Sequence, residues 1–561
     1  MNNTAAQVST IARRDPSQVM RLARLGSFHQ SRLSFMRILT RRMQRESWTF
    51  SRPVFNIDKQ GVGHAVYCAH GPERSYSLIA FAHNLPDEQR SDRVIATAWD
   101  STFTLFDGIP TEEDIKRLSN NVPLQEAGRI SARELSLSRA NRSVRLWEHV
   151  VDSLSNGKQP DRVEISNVGY LMRTTAVYGS GKFGASDRQA IEDRSEFIAP
   201  FQVEMLSVFL TRTYSRDLVQ HMATMRGGAN TVTLDASIAR SIGIGNSTGL
   251  GMAPFILNHP QLFNNWIAAR EKAIARVRSV EYATESEVTL FKHLLQRSIT
   301  LVQQWQTSHE GQLEKLIELR KDLTALASKS DTVDFTASHA WNSLYLWAID
   351  TLSIEGQEYL ASLFLEPYAN LVDELIDSMS DNNDRLSPIN GSITLARLAE
   401  QLQIHYAWAL EIDWNDVQHC ARAWYVSEEK LEPRLGERFD EPVEDYEQPL
   451  APGRDAALLY TCLQSQAPSQ TVAQFLLQHP EHRHTVRRLQ ILQHAPYAEI
   501  RDNTISCDMQ PIDMLRCKLS FFGATRFDPR SDRWVRICLY ANAPYPEELA
   551  QSDADLWPYP D

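Results

Sequence analysis

Hydrophobic positions recur along this chain with two different periods, and each change of period marks a change of element. Between 47 and 108, β-branched and aromatic residues gather in short runs: Trp48 to Ile57, Gly63 to Ala69, Tyr76 to His83 and Val94 to Phe106. Gly-Pro, Asn-Leu-Pro and Asp-Gly breaks separate or end them. No linker there is long enough for a helical crossover, so the spacing predicts an antiparallel meander.

Helical spacing then takes over. Thr111-Glu-Glu-Asp resembles a capping-box start, and 131–156 carries apolar residues at helical intervals. Pro200 to Met222 predicts a helix packed through Val203, Leu206, Leu210 and Tyr214. From 258 to 425 the pattern is almost continuously helical, with Leu290 to Leu319 predicting one very long helix. Segments 337–379 and 392–425 follow. Beyond them 455–500 predicts helix, and 503–541 offers strands at Leu519 to Phe522 and Trp534 to Tyr540.

The predicted fold class is α+β and predominantly α-helical. It comprises a basic N-terminal helix (1–46), an antiparallel sheet domain (47–130), a helical body (131–426), an acidic linker (427–454) and a smaller α+β C-terminal domain (455–561). The linker holds nine acids, four bases and four prolines with no helical apolar period.

Composition and charge narrow the class. At 561 residues the chain is too long for one ordinary core. A net charge of −12 argues against general nucleic-acid binding, which needs a basic face. Residues 1–52 hold ten Arg, no Lys and only two acids, Asp15 and Glu46. That is the composition of a targeting segment, but the apolar spacing of Leu22, Leu25, Phe35, Met36, Leu39 and Met43 favours a basic amphipathic helix. No apolar run approaches a membrane span. Six scattered cysteines without a Cys-x-x-Cys pair fit a reduced, cytoplasmic protein.

The candidate chemistry lies in glycine. Ten of the 23 glycines fall between Gly169 and Gly251, and eight form two knots, Gly169 to Gly184 and Gly243 to Gly251. Glycine is kept where backbone must turn left-handed or let something approach closely. Here it is interleaved with Arg173, Tyr178, Lys182, Arg188, Asn246, Ser247 and Thr248, side chains that hold an anionic small molecule. The first knot lacks the leading Gly and the hydroxyl of a phosphate-binding Walker loop. The second, Gly243-Ile-Gly-Asn-Ser-Thr-Gly249, is one residue too long for the dinucleotide signature, and its Gly245-Asn-Ser247-Thr-Gly249 lacks the flanks of a hydrolase elbow.

These residues predict a cytoplasmic enzyme acting on a small carboxylate or phosphate metabolite by lyase, decarboxylation or transfer chemistry. Arg173, Gly181, Arg188, Asn246, Ser247 and Thr248 would bind the anion, and Tyr178, Lys182 or His221 would move a proton. No metal centre is predicted, since His482-Arg-His484 reads as an exposed helix start, and the sequence names no cofactor. Two alternatives stand beside this reading. One is a non-catalytic helical protein that engages a partner. The other is an NAD(P)- or FAD-dependent oxidoreductase with an atypical Gly-rich loop. The helical surfaces at 263–319 suit a homodimer, although monomer cores use the same pattern.

Overall fold

The computed structural model describes residues 11–86, 88, 98–123, 131–176, 191, 193–248, 260–379, 390–416, 452–500, 511–531, 534–551 and 554–559. The fold is α+β and predominantly helical. It divides into two compact units, each assembled from separated stretches of sequence: one takes 1–29, 249–517 and 531–533, the other 30–248, 518–530 and 534–561.

The second of these is built on a nine-stranded sheet. The predicted meander is present as β1 (Thr49–Ile57), β2 (Gly63–His70), β3 (Ser75–Ala82) and β4 (Ser101–Asp107), each antiparallel to the next. Val94 to Thr97, the expected start of the fourth strand, lie outside the described residues. The helix α1 (Phe35–Arg45) precedes the sheet, and α2 (Glu112–Ser119) starts at the predicted capping box, with Thr111 and Asp114 bonding reciprocally.

Residues 131–156 depart from the expected helix. They form β5 (Glu134–Arg142) and then α3 (Trp147–Ser155). Leu135 and Leu137 alternate with Ser136 and Ser138, a period of two that outweighs the helical matches further along. After α4 (Arg162–Val168), Gly169 adopts φ 82° as a left-handed cap and delivers the chain into β6 (Tyr170–Thr174), antiparallel to β5.

A crossover follows. The 26-residue helix α5 (Gln202–Gly227) and the short α6 (Ala236–Ser241) lead to β7 (Gly243–Thr248), which lies parallel to β6. The second glycine knot therefore begins as a strand, where the sequence predicts a turn-rich loop. Two packing constraints decide it. A Cβ at Gly243 would sit 2.3 Å from the Leu539 carbonyl oxygen, and one at Gly245 would sit 2.7 Å from the Tyr170 ring. Glycine is thus the residue that lets β7 lie this close to its neighbours.

The strand expected near the C-terminus is β9 (Trp534–Leu539), antiparallel to β7, with β8 (Arg526–Ser531) beyond it at the sheet edge. Leu519 to Phe522, expected as a strand, instead lie in a π-helical turn, Lys518–Phe522, whose residues are all buried.

α5 is the spine of this unit. Val203, Leu206, Leu210 and Tyr214 are all buried, as the sequence predicts. The Tyr214 hydroxyl lies 2.8 Å from Ser101 Oγ on β4, and Ser207 Oγ lies 2.9 Å from Ser136 Oγ on β5. Arg212 is fully buried and donates to three backbone oxygens, those of Ile242 (2.8 Å), Arg240 (2.9 Å) and Ala543 (2.9 Å), with its guanidinium 3.9 Å from the centre of the Tyr545 ring. The basic stripe of α1 has a similar use: Arg37 and Arg41, with Arg32, converge on Asp555. Burial pushes that carboxyl up, but the three arginines outweigh it and hold it down at about 2.

The other unit is helical. Before it comes the N-terminal arm, where the predicted single helix is broken into Pro16–Val19, Leu22–Leu25 and α1. Leu22, Leu25, Phe35, Met36, Leu39 and Met43 are nevertheless all buried, as the spacing implies. The body contains α7 (Pro260–Arg278), α8 (Glu285–Gln304), α9 (Glu310–Ser330), α10 (Ala340–Thr351) and α11 (Ile354–Leu363). The very long helix predicted over 290–319 is therefore two. Arg320 on α9 reaches back to the free carbonyls at the end of α8, donating to Val302 (3.1 Å), Gln303 (3.3 Å) and Trp305 (2.5 Å), which caps the break. Farther along, α12 (Leu395–Leu410), α13 (Pro452–Leu463), α14 (Val472–Gln478) and α15 (Arg483–His494) enclose a core around Leu398, Leu402, Leu459 and Leu489. Most of the acidic segment, 427–451, lies outside the described residues. No helix among the described residues is long and apolar enough to cross a membrane.

Gly243→Ala is expected to destabilise the chain by about 1–3 kcal/mol, because the new methyl meets backbone of β9 that cannot move alone. Urea unfolding measures this, and an unchanged midpoint would mean that β7 and β9 separate freely.

Candidate functional site

β6 and β7 bring the two glycine knots side by side. Tyr170 faces Gly243 and Arg173 faces Gly245 across the parallel pair. Parallel neighbours run out at the same end, so β6 and β7 finish, at Thr174 and Thr248, toward the same end of the sheet. Strand direction departs from the antiparallel pattern here, since β6 is antiparallel to β5 but parallel to β7, and β7 is antiparallel to β9.

The described side chains at this edge are few and well defined. Asn246 is 1% exposed; its amide donates to the Thr174 carbonyl at 2.9 Å, while its Oδ1 is buried without a hydrogen-bond partner. Arg173 is buried on β6, opposite Asn141 of β5 and Gly245 of β7. Thr174 Oγ1 accepts from the Ala176 N–H at 3.1 Å, which turns the chain as it leaves the strand. Ser247 and Thr248 pair with Arg536 and Val535 through the backbone of β7.

The structure gathers some of the predicted residues and not others. Arg173, Asn246, Ser247 and Thr248 share the paired strand ends. Tyr178, Gly181, Lys182 and Arg188 lie outside the described residues. His221 is placed elsewhere: its Nε2 lies 3.1 Å from the Asp58 carbonyl in the β1–β2 turn, and its ring meets Phe55 edge-on. β2 and β6 are four strands apart in the sheet, roughly 19 Å. In the helical unit, the His482 ring stacks on Phe475, and among the described residues no group of three or more His, Cys, Asp or Glu could hold a metal ion.

A second polar centre, which the sequence patterns did not reveal, lies inside the helical unit. Arg14 donates to both oxygens of Glu271 (2.7 and 2.8 Å) and to both of Glu358 (2.5 and 3.1 Å). Arg24 adds a further bond to Glu358 at 2.7 Å, and Arg270 lies 3.1 Å from Glu271 and 3.7 Å from Glu358. One turn earlier on α11, Glu355 pairs with Arg516 at 2.5 Å. Arg14, Arg270, Arg516, Glu271, Glu355 and Glu358 are all buried. Burial alone would push the Glu358 carboxyl up; the combined pull of Arg14, Arg270 and Arg24 holds it far below the ordinary carboxylate range.

His29 sits within this field, its Nδ1 2.5 Å from the Ser27 hydroxyl. Burial lowers its pKa most, Arg270, Arg516 and Arg14 lower it further, and Glu358 only partly opposes them, so it falls to about 3. The imidazole is therefore neutral at pH 7. The available sequence signal was the excess of Arg over acid in the first 52 residues, because a buried arginine must find a counter-ion elsewhere in the chain.

Comparison with protein-family models, with curated proteins and with solved structures finds no match to this chain.

Glu358→Gln removes the carboxylate shared by three guanidinium groups and is expected to cost about 3–5 kcal/mol, measured by urea unfolding. His29 gives stability a pH dependence. The unfolded chain gains a proton there as pH falls through about 6.5, and the folded chain only near 3. Stability therefore declines with falling pH across that window, by about 1.4 kcal/mol per pH unit from this group. The difference in unfolding free energy between wild type and His29→Gln should show that slope between pH 4.5 and 6, and a flat difference would refute it.

Proposed function

We propose that this chain is an enzyme that binds a small anionic metabolite, a carboxylate or a phosphate, at the paired ends of β6 and β7. The observation that supports this is the adjacency of two parallel strands, each leading directly into one glycine knot. In open α/β sheets, ligands bind beyond the carboxyl ends of parallel strands, and β6 and β7 are such a parallel pair. Arg173 brings positive charge to this edge, and Lys182 and Arg188 follow it in sequence.

Asn246 refines the ligand. Its buried Oδ1 can only accept, so it calls for a donor on the bound molecule, a hydroxyl or an amine. The substrate class is thus a hydroxy or amino acid, or its phosphate counterpart. Tyr178 and Lys182 are the groups in the first knot that could move a proton during lyase, decarboxylation or transfer chemistry. His221 has no part in this proposal, since its hydrogen bond holds it at the β1–β2 turn.

Thermal-shift measurements against hydroxy acids, amino acids and their analogues lacking the donor provide the test. The donor-bearing anions are expected to raise the melting temperature more than the analogues. Asn246→Ala should abolish that difference, and Lys182→Glu should abolish stabilisation by any anion while the ligand-free melting temperature stays nearly constant. Equal stabilisation of wild type and both variants would overturn the proposal.

A further inference from the structure

The buried polar centre of the helical unit is over-supplied with donors. Arg270 is 3% exposed and its Nη1 has no hydrogen-bond partner. Arg516 is 0% exposed, and neither its Nε nor its Nη1 has one, although Nη1 lies 3.5 Å from Asp513 Oδ1. A buried, unpartnered N–H costs about 1–3 kcal/mol, and more on a charged group. Three of them in one interior call for an acceptor.

Their positions are linked. Arg270 and Arg516 approach Glu358 and Glu355, carboxylates one helical turn apart on α11, so they sit on the same face of one helix. Both guanidinium groups also act on the His29 imidazole. Glu271, Glu358, Glu355 and Asp513 balance the charge of Arg14, Arg24, Arg270 and Arg516, but they leave the Arg270 and Arg516 N–H groups named above without acceptors. Phe28 closes one side: its ring lies 4.4 Å beneath the Arg516 guanidinium, and its N–H donates to Glu355 at 3.3 Å.

We propose that the helical unit binds a small oxyanion in its interior, against Arg270 and Arg516 and beside the Ser27–His29 pair. The ligand chemistry follows from the donors. A guanidinium presents its N–H groups as a planar fork that matches the two oxygens of a carboxylate or the oxygens of a phosphate. Water could accept from the same N–H groups, but a single oxygen does not match the parallel donors of the fork. A metal cation does not fit, because the unpartnered atoms of Arg270 and Arg516 are all donors. The Ser27 hydroxyl, 2.5 Å from a neutral imidazole, supplies a group able to donate to or accept from the anion. This site is independent of the strand ends in the sheet-based unit.

The full chain, in a buffer of non-coordinating ions, is titrated separately with inorganic phosphate and with acetate. The readout is the imidazole 15N resonance of His29, assigned by its loss in His29→Gln. A saturable shift with either anion at millimolar concentration is expected, and the arm that saturates first distinguishes phosphate from carboxylate. Arg270→Lys and Arg516→Lys keep the charge but lose the fork, and each should weaken the response about tenfold. If those variants do not fold, the wild-type titration decides. Release of one equivalent of a small anion on denaturing the purified protein supports the site equally. A His29 resonance that neither anion moves, in protein that releases none, means water fills the space and overturns the proposal. Asn246→Ala should leave the His29 response intact, so the two binding proposals fail separately.

Discussion

A guanidinium group removed from water must find an acceptor for nearly every N–H it carries, and much of this architecture is organised around that demand. In the sheet-based unit Arg212 meets it with three main-chain carbonyls, and so ties α5 to the entrance of β7 and to the segment after β9. In the helical unit Arg14 meets it with two carboxylates, and so ties the N-terminal arm to α7 and α11. Arg32, Arg37 and Arg41 share Asp555. Each clamp joins residues that are remote in sequence, which makes them unlike the i,i+4 pairs of an ordinary solvated helix. Where the demand is not met, at Arg270 and Arg516, the imbalance itself becomes informative.

The glycine knots show how glycine sets the approach of neighbouring strands. Within the described residues their glycines do mechanical work: Gly169 caps α4, while Gly243 and Gly245 make room for β9 and for the Tyr170 ring. That packing aligns β6 with β7 as a parallel pair.

Local signals were legible wherever one period dominated. The meander, the Thr111 capping box and the buried face of α5 are short-range patterns, and each stands where the sequence places it. Errors came where two periods competed or a break had a remote cause. β5 hides its Leu-Ser alternation among helical matches, and the end of α8 is fixed by Arg320, a residue of the following helix. The Lys518–Phe522 turn has the composition of a strand, but its residues are all buried in a helical turn.

The sequence by itself determined the class of the fold and the identity of most of the described elements. Tertiary structure alone decided that β8 and β9 complete a sheet begun nearly five hundred residues earlier, since a strand pairs with whichever edge is open and its own pattern does not name a partner. It also decided that Arg14 meets Glu358 across 344 residues. Charge pairing and strand pairing are contacts in space, whereas periodicity reports only which face of an element will be buried.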